Sequence, residues 1–203
     1  MDFSETIDTA IGQRSYLTAS QMLHALREID PAKRFSFKIH SMATHPAFWT
    51  STIPEGCVTH AEATLNDGAE KIFFVGREQQ PLKKGLEENV CNIEVRDFAF
   101  RRQDRRVDQM EITADFTATL WDAIVETLRL VSIVHSPQGK WFSISFQGKQ
   151  EVLNAEPRSG TVTLKLQKEF RNLFFIQVLI DGEEVGVSGT CVIKDQGSGH
   201  KPS

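Results

Sequence analysis

Leu173-Phe-Phe-Ile-Gln-Val-Leu-Ile180, Asp181-Gly182 and Glu183-Glu-Val-Gly-Val-Ser-Gly-Thr-Cys191-Val-Ile193 read as two strands joined by a tight hairpin. The first run is almost continuously apolar, which predicts a central strand covered on both faces. Asp-Gly supplies the left-handed backbone that a two-residue turn needs. In the second run Val185, Val187, Gly189, Cys191 and Ile193 alternate with small or polar residues, the period of a half-buried strand.

Upstream, Val162, Leu164 and Leu166 alternate with Thr163 and Lys165, and Phe142, Ile144 and Phe146 alternate with Ser143 and Ser145. A helix is predicted from near Thr119, with Asp122 three residues on, through Leu120, Trp121, Ile124, Val125, Leu128 and Val131. Its apolar arc is wide, so it is expected to be buried on most sides. Val131–Val134 also suits a strand. An earlier helix starts at the capping box Thr18-x-x-Gln21, carries Met22, Leu23, Leu26 and Ile29, and ends before Pro31. Strands are expected at 35–39, 57–65, 72–75, 90–100 and 110–116, with a bulge where the apolar phase slips near Arg96-Asp97.

These elements recur. Gln21–Arg27 lies 102 residues before Ala123–Arg129, Gly56-Cys-Val-Thr59 lies 104 before Gly160-Thr-Val-Thr163, and Phe73-Phe74 lies 101 before Phe174-Phe175. Matches in one order at nearly constant offset imply a duplicated domain rather than a solenoid. The expected organisation is an N-terminal segment 1–15, a degenerate unit 16–106, a second unit 107–194 with an extra leading strand, and a polar tail 195–203.

A strand, a buried helix and four antiparallel strands, with Pro157, Gly160-Thr-Val-Thr163, Phe174-Phe175 and Val178-Leu-Ile-Asp-Gly-Glu-Glu-Val185 in order, resemble the hotdog superfamily of acyl-carrier-protein dehydratases and thioesterases. The resemblance covers residues 107–194 directly and 16–106 through the repeat. It implies an α+β fold with antiparallel sheet wrapped around a long central helix. It also implies acyl-thioester chemistry at a junction of two units, with an acyl carrier protein or CoA carrying the substrate and no cofactor. A lipocalin-like or nuclear-transport-factor-like cup is the competing architecture, and non-catalytic binding of a hydrophobic ligand or a scaffold role the competing function.

Dehydratases of this family carry a His in a G-H-F-P segment before the helix and an acid on the partner helix. Glu126 matches the helix acid, while the segment before the helix reads Ala114-Asp115-Phe116. The His is absent and Asp115 stands near its place, as in some hotdog thioesterases, so hydrolysis and isomerisation stay open beside dehydration. Within the repeat His24 is equivalent to Glu126, and a pseudo-two-fold would bring a base and an acid together. The bland readings stand beside these: Asp122, Glu126 and Arg129 are spaced as a solvated helix stripe. His24 is equally an ordinary helix-face histidine, and Asp115 a strand-end or helix-N-terminal charge.

Arg101, Arg102, Arg105 and Arg106 form a basic tip that suits a CoA phosphate or an acidic carrier face, or is a solvated hairpin turn. Trp121 joins Arg101, Arg102 and Arg105 as a substrate-binding candidate. His40, His45 and His60 lack ligand spacing, so no metal is expected. Cys57 and His60 fall on opposite strand faces unless a bulge intervenes.

The chain has 203 residues, net charge −4 and one Tyr, which argues against nucleic acid as a partner. Fourteen phenylalanines suit a core or an acyl tunnel. Three scattered cysteines read as reduced thiols, and residues 1–14 lack a secretory pattern. No apolar run is long enough to span a membrane, and a cytoplasmic location is expected. Either a monomer of fused units or a homodimer would satisfy the fold.

Overall fold

The computed structural model describes residues 4–12, 14–26, 30–77, 81–86, 91–103, 106–135, 139–171 and 173–194. In chain order the elements are β1 (Thr9–Ile11), α1 (Ala19–His24), β2 (Arg34–Ile39), β3 (Ala47–Thr50), β4 (Val58–Leu65), β5 (Glu70–Gly76), β6 (Lys83–Leu86), β7 (Asn92–Gln103) and β8 (Arg106–Ala118). Then follow α2 (Leu120–His135), β9 (Gly139–Lys149), β10 (Arg158–Phe170), β11 (Leu173–Ile180) and β12 (Glu183–Lys194). Ten strands form one antiparallel sheet in the order β3-β5-β4-β2-β9-β12-β11-β10-β8-β7, and β1 pairs with β6 in a small parallel ribbon.

In the second half β8 leads into α2, and the strands order as β8-β10-β11-β12-β9, which is consistent with a hotdog-like fold. The helix packs across β8, β9 and β10. Trp121, Ile124, Leu128 and Val131 face the sheet and are essentially inaccessible. Burial of each such side chain contributes roughly 1.5–3 kcal/mol, so this face rather than helix propensity holds α2 in place. Val131–His135 continues the helix, which settles the helix-or-strand ambiguity there.

The first half joins the same sheet through β2, which pairs antiparallel with β9. The motif-bearing elements follow one another as in the second half, but the pairing differs. β2 lies beside β4, the next long strand, whereas β9 lies beside β12, the last. The first helix is also shorter than expected. The capping box forms as read, yet α1 stops at His24, and Leu26 is reached through a turn bond to the Leu23 carbonyl. The chain must then return to Gln150, which bonds the Asp30 and Lys33 carbonyls. Ile29 and Arg27 lie outside the described residues, as does the tail 195–203.

A chain of aromatic rings crosses the junction: Phe74–Trp49–Phe37–Trp121–Phe146–Phe35, with centroid separations of 5.1–6.3 Å. Both halves therefore share one core. Gly148 and Gly186 face each other across β9 and β12, and the Phe146 ring lies over them. A Cβ on Gly148 would sit 2.1 Å from the Val185 carbonyl oxygen, so the close approach demands glycine.

Two expectations about strands meet the coordinates differently. The bulge near Arg96-Asp97 is present, between Val95 and Asp97. β11 is central but covered on one face only: Phe174, Ile176, Val178 and Ile180 are buried, while Phe175 is 39% exposed. No second layer packs on that outer face among the described residues, so its apolar residues do not report burial. The Asp181-Gly182 turn has positive φ at both residues, as the hairpin requires. β1, β3 and β6 are short and carried no periodic signal.

Candidate functional site

Thr119 is the corner where β8 becomes α2. Its hydroxyl accepts the Asp122 N–H at 3.1 Å and its carbonyl accepts the Ala123 N–H at 3.0 Å. This N-cap fixes the first turn and lifts Asp122 onto the side of α2 facing α1. On the other side, the α1 capping box positions His24 in the last turn of that helix, and Gln21 ties the helix to β1 by donating to the Thr9 carbonyl at 2.8 Å. His24 Nε2 then lies 3.3 Å from Thr119 Oγ1.

The Thr119 hydroxyl can donate to Nε2 or accept from it, according to the tautomer of the imidazole. Burial pushes the His24 pKa below its ordinary value, and the nearby Asp122 carboxylate opposes the shift. One Asp122 oxygen, Oδ2, is buried without a hydrogen-bond partner among the described residues. The other edge of this cluster is open: His24 and Ala25 line a recess with residues 5–9. A neutral imidazole and a hydroxyl thus meet, with a carboxylate nearby, at the start of a 16-residue helix in which the Leu120 and Trp121 amides have no i−4 acceptor.

Cys91 borders the same acidic side of α2. Its thiol is pushed up to about 11, first by burial and then by Glu126 and Asp122, with Arg129 opposing. It is protonated at neutral pH and is a poor nucleophile.

The remaining expected residues fall elsewhere. Glu126 is one turn beyond Asp122 and is held by Arg129, whose Nε lies 2.8 Å from both carboxylate oxygens. Its partner in the structure is that arginine, while His24 bonds Thr119 and feels the Asp122 carboxylate. Asp115 points away from α2: Met110, Ile112, Ala114 and Phe116 of β8 face the core, which turns the odd positions to the outer face. There it pairs with Arg96, and Thr161 Oγ1 donates to it at 3.1 Å. Trp121 is fully buried between Phe37 and Phe146, with its indole N–H unpartnered among the described residues. Arg101 pairs with Asp108, and Arg102 lies over the Phe100 ring. Their β8 partners, Gln109 and Val107, are ten and twelve residues from Thr119, or roughly 33–40 Å at ~3.3 Å per residue. The two arginines do not border the His24 cluster. Arg105 lies outside the described residues.

His60 is the bulged residue of β4, between Thr59 and Ala61, and is buried. The bulge turns it to Ser41, whose Oγ is 2.9 Å from Nδ1, rather than to Cys57. His40 sits 3.7 Å from Glu62, and His45 bonds Thr44. Among the described residues no group of three or more His, Cys, Asp or Glu is gathered as metal ligands would be. Among the described residues no helix is long and apolar enough to cross a membrane.

Sequence reasoning treated Thr119 and Asp122 only as a helix start and a surface stripe. The T-x-x-D cap was legible, but nothing local says that α1 would end against it.

Among solved structures, the chain is similar to the acyl-CoA thioesterase II TesB2 from Mycobacterium marinum (10% identity, 89% of each chain, TM-score 0.41). It is similar to a conserved protein of unknown function with a hotdog fold from Alicyclobacillus acidocaldarius (10% identity, 87% of this chain and 85% of that one, TM-score 0.46). A third is the dehydratase domain of RzxB from Pseudomonas fluorescens (8% identity, 94% of this chain and 88% of that one, TM-score 0.41). The chain matches no family model and no curated protein. Likeness at this level transfers no residue roles.

Proposed function

We propose that this chain is an acyl-thioester-processing hotdog protein and that hydrolysis of a CoA- or carrier-linked acyl group is its reaction. The observation that carries the reading is the contact of His24 with Thr119 beside Asp122, at the N-terminus of the hotdog helix. A buried, neutral His24 is a base able to take a proton from water. Asp122 stabilises the imidazolium that forms, and Thr119 orients the ring. The Leu120 and Trp121 amide protons, which Thr119 does not cap, would face the oxyanion of a tetrahedral intermediate. The proton held by His24 then goes to the departing thiolate. Dehydration is less well served, since Ala114-Asp115-Phe116 replaces the family's histidine segment. Glu126 and Asp115 enter as secondary proton-transfer candidates, and residues 16–106 and 107–194 as two hotdog units fused in one chain.

Turnover of a panel of acyl-CoA and acyl-carrier-protein thioesters, read by thiol release, tests this. His24→Gln and Asp122→Asn should each lower kcat at least tenfold, while Glu126→Gln and Asp115→Asn report the secondary candidates. No thiol release from any thioester would defeat the proposal. One observation favours a non-catalytic ligand-binding or scaffold role instead: Glu126 is neutralised by Arg129 and Trp121 is walled into the core. Retention of a fatty acyl probe without turnover in native mass spectrometry would support that role.

A further inference from the structure

The two hairpins β7–β8 and β10–β11 end side by side at one end of the sheet. Val107 N–H donates to Glu169 Oε2 at 2.6 Å, which locks the tips together. The described stretches 101–103, 106–108 and 166–171 hold five basic and two acidic residues, a net charge of +3. The whole chain carries −4, so everything else carries −7. Charge is thus divided along the molecule. Both acidic groups in these stretches are already engaged: Asp108 pairs with Arg101, and Glu169 accepts the Val107 amide. Arg102 and Arg171 turn onto rings instead of carboxylates, 5.8 Å from the Phe100 centroid and 5.4 Å from the Phe170 centroid. Phe170, at the very tip, is 53% exposed, the most exposed large apolar side chain among the described residues.

We propose that this end docks on an anionic lipid surface, with Phe170 entering the headgroup region and Arg101, Arg102, Lys168 and Arg171 lying against lipid phosphates and carboxylates. A ring of cations around an exposed aromatic is the chemistry of interfacial binding. The −7 on the remainder repels an anionic bilayer, so the +3 end is presented to it. The site lies ten or more residues along β8 from Thr119, roughly 33 Å or more at ~3.3 Å per residue, and does not depend on the acyl-thioester reading.

Co-sedimentation of the full chain with vesicles of phosphatidylcholine alone, or mixed with phosphatidylserine, tests the proposal. Binding is expected only to the mixed vesicles and should fade as salt is raised. The double variants Arg101→Glu/Arg102→Glu and Lys168→Glu/Arg171→Glu should each weaken partitioning on the order of tenfold or more. Phe170→Ser should weaken it severalfold at unchanged charge. The variants sit on separate hairpins, and circular dichroism identifies any that fails to fold. Absence of binding to phosphatidylserine vesicles, equal binding to phosphatidylcholine, or indifference to the folded variants overturns the proposal. Binding to soluble polyglutamate but not to vesicles overturns it in favour of an acidic protein partner.

Discussion

Gln150 is fully buried in the 3-10 turn after β9 and fastens the two halves of the chain. Its Oε1 accepts the Asn66 N–H at 2.6 Å, its Nε2 donates to the Asp30 carbonyl at 2.8 Å, and its own N–H bonds the Lys33 carbonyl at 2.7 Å. Gln150→Met keeps the length and the backbone bond while deleting these side-chain bonds and a longer one from Nε2 to Asn66 Oδ1 at 3.4 Å. The half-buried Asn66 amide then lacks an acceptor, at about 1–2 kcal/mol. Asp30 is exposed, so its carbonyl can turn to water and adds at most about 0.5 kcal/mol. The expected loss is about 1–2.5 kcal/mol, or about 2–10 °C in Tm at ~2–4 °C per kcal/mol for this chain length. Urea and thermal unfolding followed by tryptophan fluorescence will read it, since Trp49 and Trp121 are both fully buried. Asn66→Gly is the control: it keeps the amide and suits the positive φ of 53° at that position, so it should stay within about 0.5 kcal/mol of the parent. A parent-like Gln150→Met, or an equally damaging Asn66→Gly, would refute the idea that this amide bond holds the turn.

The remaining predictions concern the site and the sheet. Burial lowers the His24 pKa, so as pH falls below about 6.5 the unfolded chain takes up a proton before the folded one does, and stability declines. His24→Gln should remove that part of the slope in denaturant titrations from pH 7 to 5, and parallel curves would show that His24 is not the cause. Thr119→Ala should lose about 1 kcal/mol of α2 capping in urea unfolding, whereas Thr119→Ser restores the cap. Gly148→Ala should destabilise by about 3 kcal/mol or more, because its Cβ meets backbone that cannot move aside. A soluble variant with a parent-like melt would contradict the tight β9–β12 approach. The Cys91 thiol, pushed up to about 11, should react with iodoacetamide at pH 8 far more slowly than a free cysteine, as mass spectrometry of the labelled peptide would show.

The periodic segments carried most of the fold in their own residues. α2 was legible from its wide apolar arc, β10 and β12 from strict alternation, the β11–β12 turn from Asp-Gly, and the β7 bulge from the slipped phase at Arg96. Each of these is a local matter, since a helix period, a strand period or a left-handed turn is set by residues within reach of one another in sequence. The proximity of β11 and β12 followed from the two-residue loop alone.

What the chain could not announce locally is which distant surfaces meet. Leu173–Ile180 is apolar on both faces, yet only the tertiary arrangement decides that one of them lies open. The offsets of 101–104 residues brought His24 and Glu126 into equivalent places in sequence. The shared sheet instead stops α1 at His24 and sets it against Thr119 and Asp122, while Arg129 takes Glu126. Asp115 was a candidate by position, and the pleat of β8 sends it to the opposite face from α2. Side-chain direction within an element follows from sequence period; the partner across the core follows from how elements pack, because that energy is summed over the whole apolar interface and not over any one motif.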